Sequence, residues 1–278
     1  MKRVAFTAVL LGLLVSSASA QAPVGPFRWQ KGQVLHYKVE ESTSVDEVVG
    51  EEKVQTGTKL VLLKRWQVLD VDAAGVATLQ MSLTALRQEM VTPNGETMAF
   101  DSAAPDKSHP AMREQLSRHV GVPLMTLRVD GQGRVVEVKE TKFGSPAALE
   151  RKPPFVIHLP AAGPQAGLVW QRGFQLVLEP PFGTGQKLPA EQKYACKSAD
   201  AGKAIITLST AIAQMPEAAA ERLPLLQWLP QGEVVFDTES GRLHSARLQI
   251  DQQLAGHQGE GSIYRFQSSY REEYVERP

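Results

Sequence analysis

Two stretches of this chain repeat each other, and an internal repeat constrains the fold more tightly than any single motif. Trp29-Gln30-Lys31-Gly32 in the first half is matched by Trp170-Gln171-Arg172-Gly173 in the second. Further on, Leu127-Arg128-Val129-Asp130-Gly131-Gln132-Gly133-Arg134-Val135 is echoed by Val234-Val235-Phe236-Asp237-Thr238-Glu239-Ser240-Gly241-Arg242-Leu243. The matching pieces come in the same order, so the chain reads as one supersecondary unit used twice.

That unit is built from strands. Leu35, Tyr37 and Val39 alternate with His36, Lys38 and Glu40, and Leu79, Met81 and Leu83 alternate with Gln80, Ser82 and Thr84. Side chains two apart share a face, so each run has one apolar and one polar side. Antiparallel sheets with one wet face read this way. The run from Leu60 to Val71 is apolar on both faces at its start and predicts a central strand. Turn chemistry separates the runs: Asp72 to Gly75 and Asp200 to Gly202 at matching places, Pro93-Asn94-Gly95-Glu96, and the two Asp…Gly-Arg tips.

Helix signals are few. Ser108 as N-cap and Pro110 in the first turn predict a helix over 111–120, ended by Gly121. A second is predicted over 217–223, where Pro224 breaks it before an apolar run to Leu229. A third, short one is predicted over 146–150. Residues 152–167 are proline-rich, yet Phe155, Val156, Ile157 and Leu159 are too apolar for a solvated linker, so this crossing should lie against the sheet. Two closing strands are expected over 247–254 and 262–275. The fold expectation is mainly β: antiparallel, internally duplicated, with one or two curved half-barrel-like sheets and two or three short helices. The organisation read from sequence is a signal segment at 1–20, a first β repeat at 21–143, a connector at 144–167 and a second repeat at 168–278. The two repeats are expected to pack as one unit.

Lys2 and Arg3, an apolar run from Ala8 to Val15 and the small residues Ala18-Ser19-Ala20 have the pattern of a secretory signal cleaved before Gln21. No cysteine stands at that point to carry a lipid anchor, so a soluble periplasmic or extracellular protein is expected, with no transmembrane segment in the mature chain. Without Lys2 and Arg3 the chain carries 28 basic and 30 acidic residues. That balance offers no basic stripe for nucleic acid. Cys196 is the single cysteine, so an internal disulfide is excluded. The core alone must hold the fold, and a chain this long can bury about 70–75% of its unfolded surface.

No catalytic signature stands out. There is no Gly-x-Ser-x-Gly elbow, no Walker or Gly-x-Gly-x-x-Gly loop, and no histidine pair at a metal-binding spacing among His36, His109, His119, His158, His244 and His257. The adjacent acids Glu51-Glu52 and Glu272-Glu273 point to opposite faces of a strand and cannot work as a pair. No cofactor or metal site is expected. Two features are candidates for binding. Tyr264, Phe266, Tyr270 and Tyr274 share one face of the last strand and could line an apolar cavity or fill the core. Arg134 and Arg242 each follow a hairpin glycine and could contact an anion or pair with the turn aspartate.

Trp29-x-x-Gly32-x-x-x-x-Tyr37, then Trp66-Gln67-Val68-Leu69-Asp70-Val71 with Gly75-x-Ala77-Thr78, then a short helix and the Val129-Asp130…Gly133-Arg134-Val135 hairpin, form a pattern. It resembles a family of uncharacterised exported β-rich proteins common in planctomycete-type bacteria, known as a domain of unknown function. The resemblance implies a bacterial envelope or secreted setting and transfers no catalytic residue. The leading expectation is a non-catalytic module holding an apolar or amphipathic, lipid-like molecule in a concave β surface. The alternative is a structural or protein-interaction component of the envelope. A hydrolase is the minor alternative.

Overall fold

Period-two alternation becomes one continuous antiparallel sheet. The computed structural model describes residues 25–142, 146–180 and 183–276; the expected signal segment lies outside the described residues. The first half supplies β1 (Val34–Val49), β2 (Glu52–Val71), β3 (Ala77–Val91), β4 (Thr97–Asp101), β5 (Pro123–Val129) and β6 (Val135–Thr141). The second supplies β7 (Val169–Leu178), β8 (Gln186–Asp200), β9 (Lys203–Ile212), β10 (Gln231–Asp237), β11 (Arg242–Ala255) and β12 (Ile263–Val275).

The strand order is β6-β5-β3-β2-β1-β12-β11-β10-β9-β8-β7, with β4 beside the outer part of β3. The chain thus leaves the centre at β1, meanders to one edge, crosses to the opposite edge at β7 and meanders back. β12 then pairs with β1 from His36↔Val275 to Val48↔Ile263. The sheet curves without closing, and β6 and β7 form its edges. The equivalent turns of the two halves fall in equivalent places. Asp72–Gly75 and Ala201–Gly202 join β2 to β3 and β8 to β9, and the two Asp…Gly-Arg tips join β5 to β6 and β10 to β11.

The chain before β1 ties these tips together. The Phe27 amide donates to the Gly131 carbonyl at 2.9 Å, and the next amide, Arg28, donates to the Gly241 carbonyl at 3.0 Å. Tyr37 Oη adds a bond to the Leu243 carbonyl at 3.0 Å.

The helices are shorter than their signals. α1 (Pro110–Leu116) gives way to a 3₁₀ turn at Ser117–His119, and its N-cap is His109. Ser108 instead accepts from the Asp101 amide, so its hydroxyl closes the preceding turn. α2 (Pro146–Arg151) lies where the third helix was expected. α3 (Ala219–Arg222) is one turn, followed by a 3₁₀ run at Leu223–Trp228 that contains Pro224. Proline without its N–H disfavours an α-helix there and tolerates the tighter turn.

The proline-rich crossing is the largest departure from a surface linker. It enters the concave face and becomes the middle of the core. Phe155 and Ile157 are fully buried, and Val156 and Leu159 nearly so. The Phe155 ring lies 5.3 Å from those of Trp29 and Trp66 and 6.1 Å from that of Tyr37. One crossing segment therefore touches strands of the first half and the segment that leads into them. Tyr194 and Cys196 from the second half belong to the same cluster.

Candidate functional site

The crossing fills only the end of the concavity near the hairpin tips. Above it, a cavity of about 290 Å³ remains between the concave face and a cover made by the end of α2 and the 3₁₀ run before β10. β7 contributes Phe174 and Leu176, β11 contributes Leu248 and Ile250, and β12 contributes Phe266 and Tyr270. These are the inward positions of their strands, placed on one face by the period of two. Val156 forms part of the floor, and it is a β-branched residue with φ of 65°. Holding an L-residue there costs about 1–2 kcal/mol, so the packing around it fixes the bend.

Polar and charged residues make up about half of the lining, and several are held in place. Gln192 is buried; its Oε1 accepts from Tyr194 Oη at 2.8 Å, and its Nε2 reaches Thr210 Oγ1 at 3.4 Å. Burial pushes the Tyr194 hydroxyl up to about 12, so it stays a neutral donor. Lys152 Nζ lies 4.4 Å from the Tyr270 ring centroid and 3.2 Å from Glu41 Oε2. Tyr270 Oη donates to Glu272 Oε2 at 2.7 Å, and Lys64 Nζ meets Glu272 Oε1 at 3.1 Å. Burial, and then the neighbouring Glu272 carboxylate, hold the Tyr270 hydroxyl well above its ordinary value. On the cover, the Arg151 guanidinium sits 4.8 Å from the Trp228 ring centroid and donates to the Val177 carbonyl at 2.9 Å. Arg151 Nε and Trp228 Nε1 are buried without an acceptor, each a cost of about 1–3 kcal/mol.

The aromatic residues of β12 divide. Phe266 and Tyr270 line the cavity. Tyr274 packs against the core, and the Arg242 guanidinium stacks on it at 3.7 Å. Tyr264 meets the His257 ring at 5.7 Å, beside the pair of His257 Nε2 with Glu47 Oε1 at 2.7 Å. The two arginines also divide. Arg134 Nε donates to Asp130 at 2.8 Å within its own turn. Asp237 accepts from the Glu239 and Ser240 amides. Against desolvation, those bonds and the nearby Arg242 guanidinium lower the Asp237 pKa, and that guanidinium lies on the Tyr274 ring. Neither arginine lines the cavity.

Arg151, Lys152, Trp228 and Gln192 were not singled out from the sequence. The signals that point to them are the basic pair before Pro153-Pro154 and the apolar run after Pro224. Among the described residues, no group of three or more His, Cys, Asp and Glu side chains could hold a metal ion. A broader trough of about 1310 Å³, lined mostly by polar residues, shares Glu41, Leu248, Gln249 and Tyr270 with the inner cavity. Of its basic residues, Lys193, Lys197, Arg247 and Arg271 are paired with Glu191, Glu233 and Glu273, and it is open to water. The smaller inner cavity is more enclosed, and the surface it exposes to a ligand is mainly apolar, as in binding cavities.

No family model matches the chain, and no curated protein matches it. Among solved structures, three matches have low TM-scores. A structure of lipovitellin described by its lipid–protein interactions is 14% identical with a TM-score of 0.46, covering 88% of this chain and 25% of that one. This chain therefore spans about a quarter of the lipovitellin chain. DynF, from the dynemicin biosynthesis pathway of Micromonospora chersina, is 9% identical with a TM-score of 0.23, covering 98% of this chain and 95% of that one. A DUF1329 family protein from Desulfovibrio piger is 7% identical with a TM-score of 0.15, covering 85% and 84%. Scores this low carry no inference to this chain, whose site stands on its own geometry. Among the described residues, no helix is long and apolar enough to cross a membrane.

Proposed function

We propose that this is an exported, non-catalytic binding module that holds one small amphipathic molecule in the covered cavity of its concave face. The observation that supports it is the division of the concavity. Its lower end is packed solid by the chain's own crossing segment, whereas its upper end keeps about 290 Å³ between apolar strand residues and a helical cover. That volume sits at the low end of ligand cavities, about 300–1,000 Å³. It suits a single short acyl chain or a compact ring system. The cover rests on the sheet through Lys152–Glu41 and Arg151–Val177, contacts that local movement can open to admit a ligand.

Native mass spectrometry on the chain from an exported preparation, offered medium-chain amphiphiles, tests this reading. One adduct per chain is expected, and Ser268→Trp, which places an indole in the cavity, should abolish it. Equal retention by the variant, or no adduct at all, sinks the reading.

A second reading, an envelope protein-interaction component, draws on the open sheet. The edge strands carry Val136 and Val169, 51% and 67% exposed, and an unpaired strand edge is a template for another chain. Crosslinking in the source cells that captures no partner at β6 or β7 would count against it.

A further inference from the structure

We propose that the polar end of the ligand is a carboxylate, received by Arg151 and Trp228; this rests on the binding reading above. Two charged or amide acceptors of the wall are engaged, and two donors are left over. Glu41 is held by Lys152 at 3.2 Å. Gln192 Oε1 takes the Tyr194 hydroxyl at 2.8 Å. Against these, Arg151 Nε and Trp228 Nε1 are buried with no acceptor in the chain, and both residues line the cavity.

The two donors are neighbours, because the guanidinium stacks on the indole at 4.8 Å. Arg151 is anchored through its two terminal nitrogens, which leaves Nε over. Its side chain is 10% exposed, its Nη1 is fixed by the Val177 carbonyl, and its Nη2 meets the Glu179 carboxylate, 37% exposed, at 3.5 Å. A guanidinium with a spare N–H, stacked on an indole whose N–H is also free, favours an anionic acceptor. Both nitrogens are buried, on residues that line the wall. A ligand oxygen reaches them with a small turn of the two side chains, a change common on binding. The apolar wall formed by Leu248, Ile250 and Phe266 takes the hydrocarbon. The cavity volume limits that to one short chain, which makes decanoate a suitable probe.

Isothermal titration of the full exported chain with decanoate, decan-1-ol and decyl phosphate tests the proposal. Decanoate should bind at least about tenfold tighter than decanol, as a charge-assisted hydrogen bond supplies. Trp228→Phe keeps the ring and its stacking but loses the N–H, and should lower decanoate affinity about tenfold with decanol unchanged. Arg151→Lys, which keeps the charge and loses Nε, should act the same way. Near-ultraviolet dichroism confirms that both variants fold. Equal affinity for decanol and decanoate overturns the carboxylate and leaves the cavity reading standing. So does tighter binding of decyl phosphate. Binding of none of the three overturns both.

Discussion

A Cβ added to Gly133 would stand 2.7 Å from the Phe27 ring and 3.0 Å from the Ile157 carbonyl oxygen. The hairpin tip, the segment before β1 and the buried crossing meet at this point, so the glycine is needed for contact as well as for its φ of 84°. Gly133→Ala should destabilise the fold by about 2–4 kcal/mol, the sum of left-handed strain and overpacking. Gly95 has a φ of 79° with nothing within 4 Å of an added Cβ, and Gly95→Ala should cost about 1 kcal/mol. Urea denaturation of both compares the two terms; equal losses would mean that the Phe27 contact carries no weight.

Phe155 is the centre of the aromatic cluster that joins the crossing to the strands. Phe155→Ala should cost about 3–5 kcal/mol, as for other fully buried phenylalanines. Its effect should spread beyond the site, with amide exchange accelerating in β1, β2 and β8 together. Faster exchange confined to residues 152–160 would show that the crossing is a separate layer and not the shared core.

The strands were legible because alternation survives in them. Leu35, Tyr37 and Val39 face inward as their spacing predicts, and the Asn94-Gly95 tip forms the hairpin its residues dictate. Helix ends were less legible. Ser108 has the chemistry of an N-cap, but the Asp101 amide competes for its hydroxyl, and that amide is near only in three dimensions. The crossing announced its burial through Phe155 and Ile157, while its path through the concavity depended on which sheet edges it connects. The cavity was least legible. Arg151, Gln192, Trp228 and Phe266 come from four places in the chain, and no local pattern relates them. Nor does period-two alternation say which inward side chains meet the crossing and which meet the cavity. Tyr274 and Phe266 share a face and differ only in height along it.

Lys64 and Glu272 form a buried ion pair at 3.1 Å, with side chains 15% and 1% exposed. Removing one partner leaves a buried charge. Lys64→Met should therefore destabilise by about 3–5 kcal/mol. The double variant Lys64→Met, Glu272→Met should recover most of that, because an apolar pair of similar size avoids the desolvation. A double variant no more stable than Lys64→Met would show that Tyr270, whose hydroxyl donates to Glu272 at 2.7 Å, needs the carboxylate more than the lysine does.

His158 gives the fold a pH dependence whose sign follows from its burial. Burial first, and then the nearby Arg172 cation, lower its pKa from 6.5 to about 3. The imidazole is thus neutral in the folded chain over a range where the unfolded chain binds a proton. Its contribution to stability is complete above about pH 6.5 and is lost as pH falls from there toward about 3. At about 1.4 kcal/mol per pKa unit, the ceiling on that loss is roughly 4–5 kcal/mol. The backbone carbonyl of His158, which accepts from Trp170 Nε1 at 2.8 Å, is kept in any side-chain variant. His158→Leu should accordingly leave the fold near its original stability at pH 7.5 and make it relatively more stable at pH 4.5. Denaturation midpoints for the two chains at both values isolate the term, since every carboxylate that also titrates is common to both. Parallel pH profiles would show that the ring takes up its proton in the folded chain and that burial does not exclude the charge.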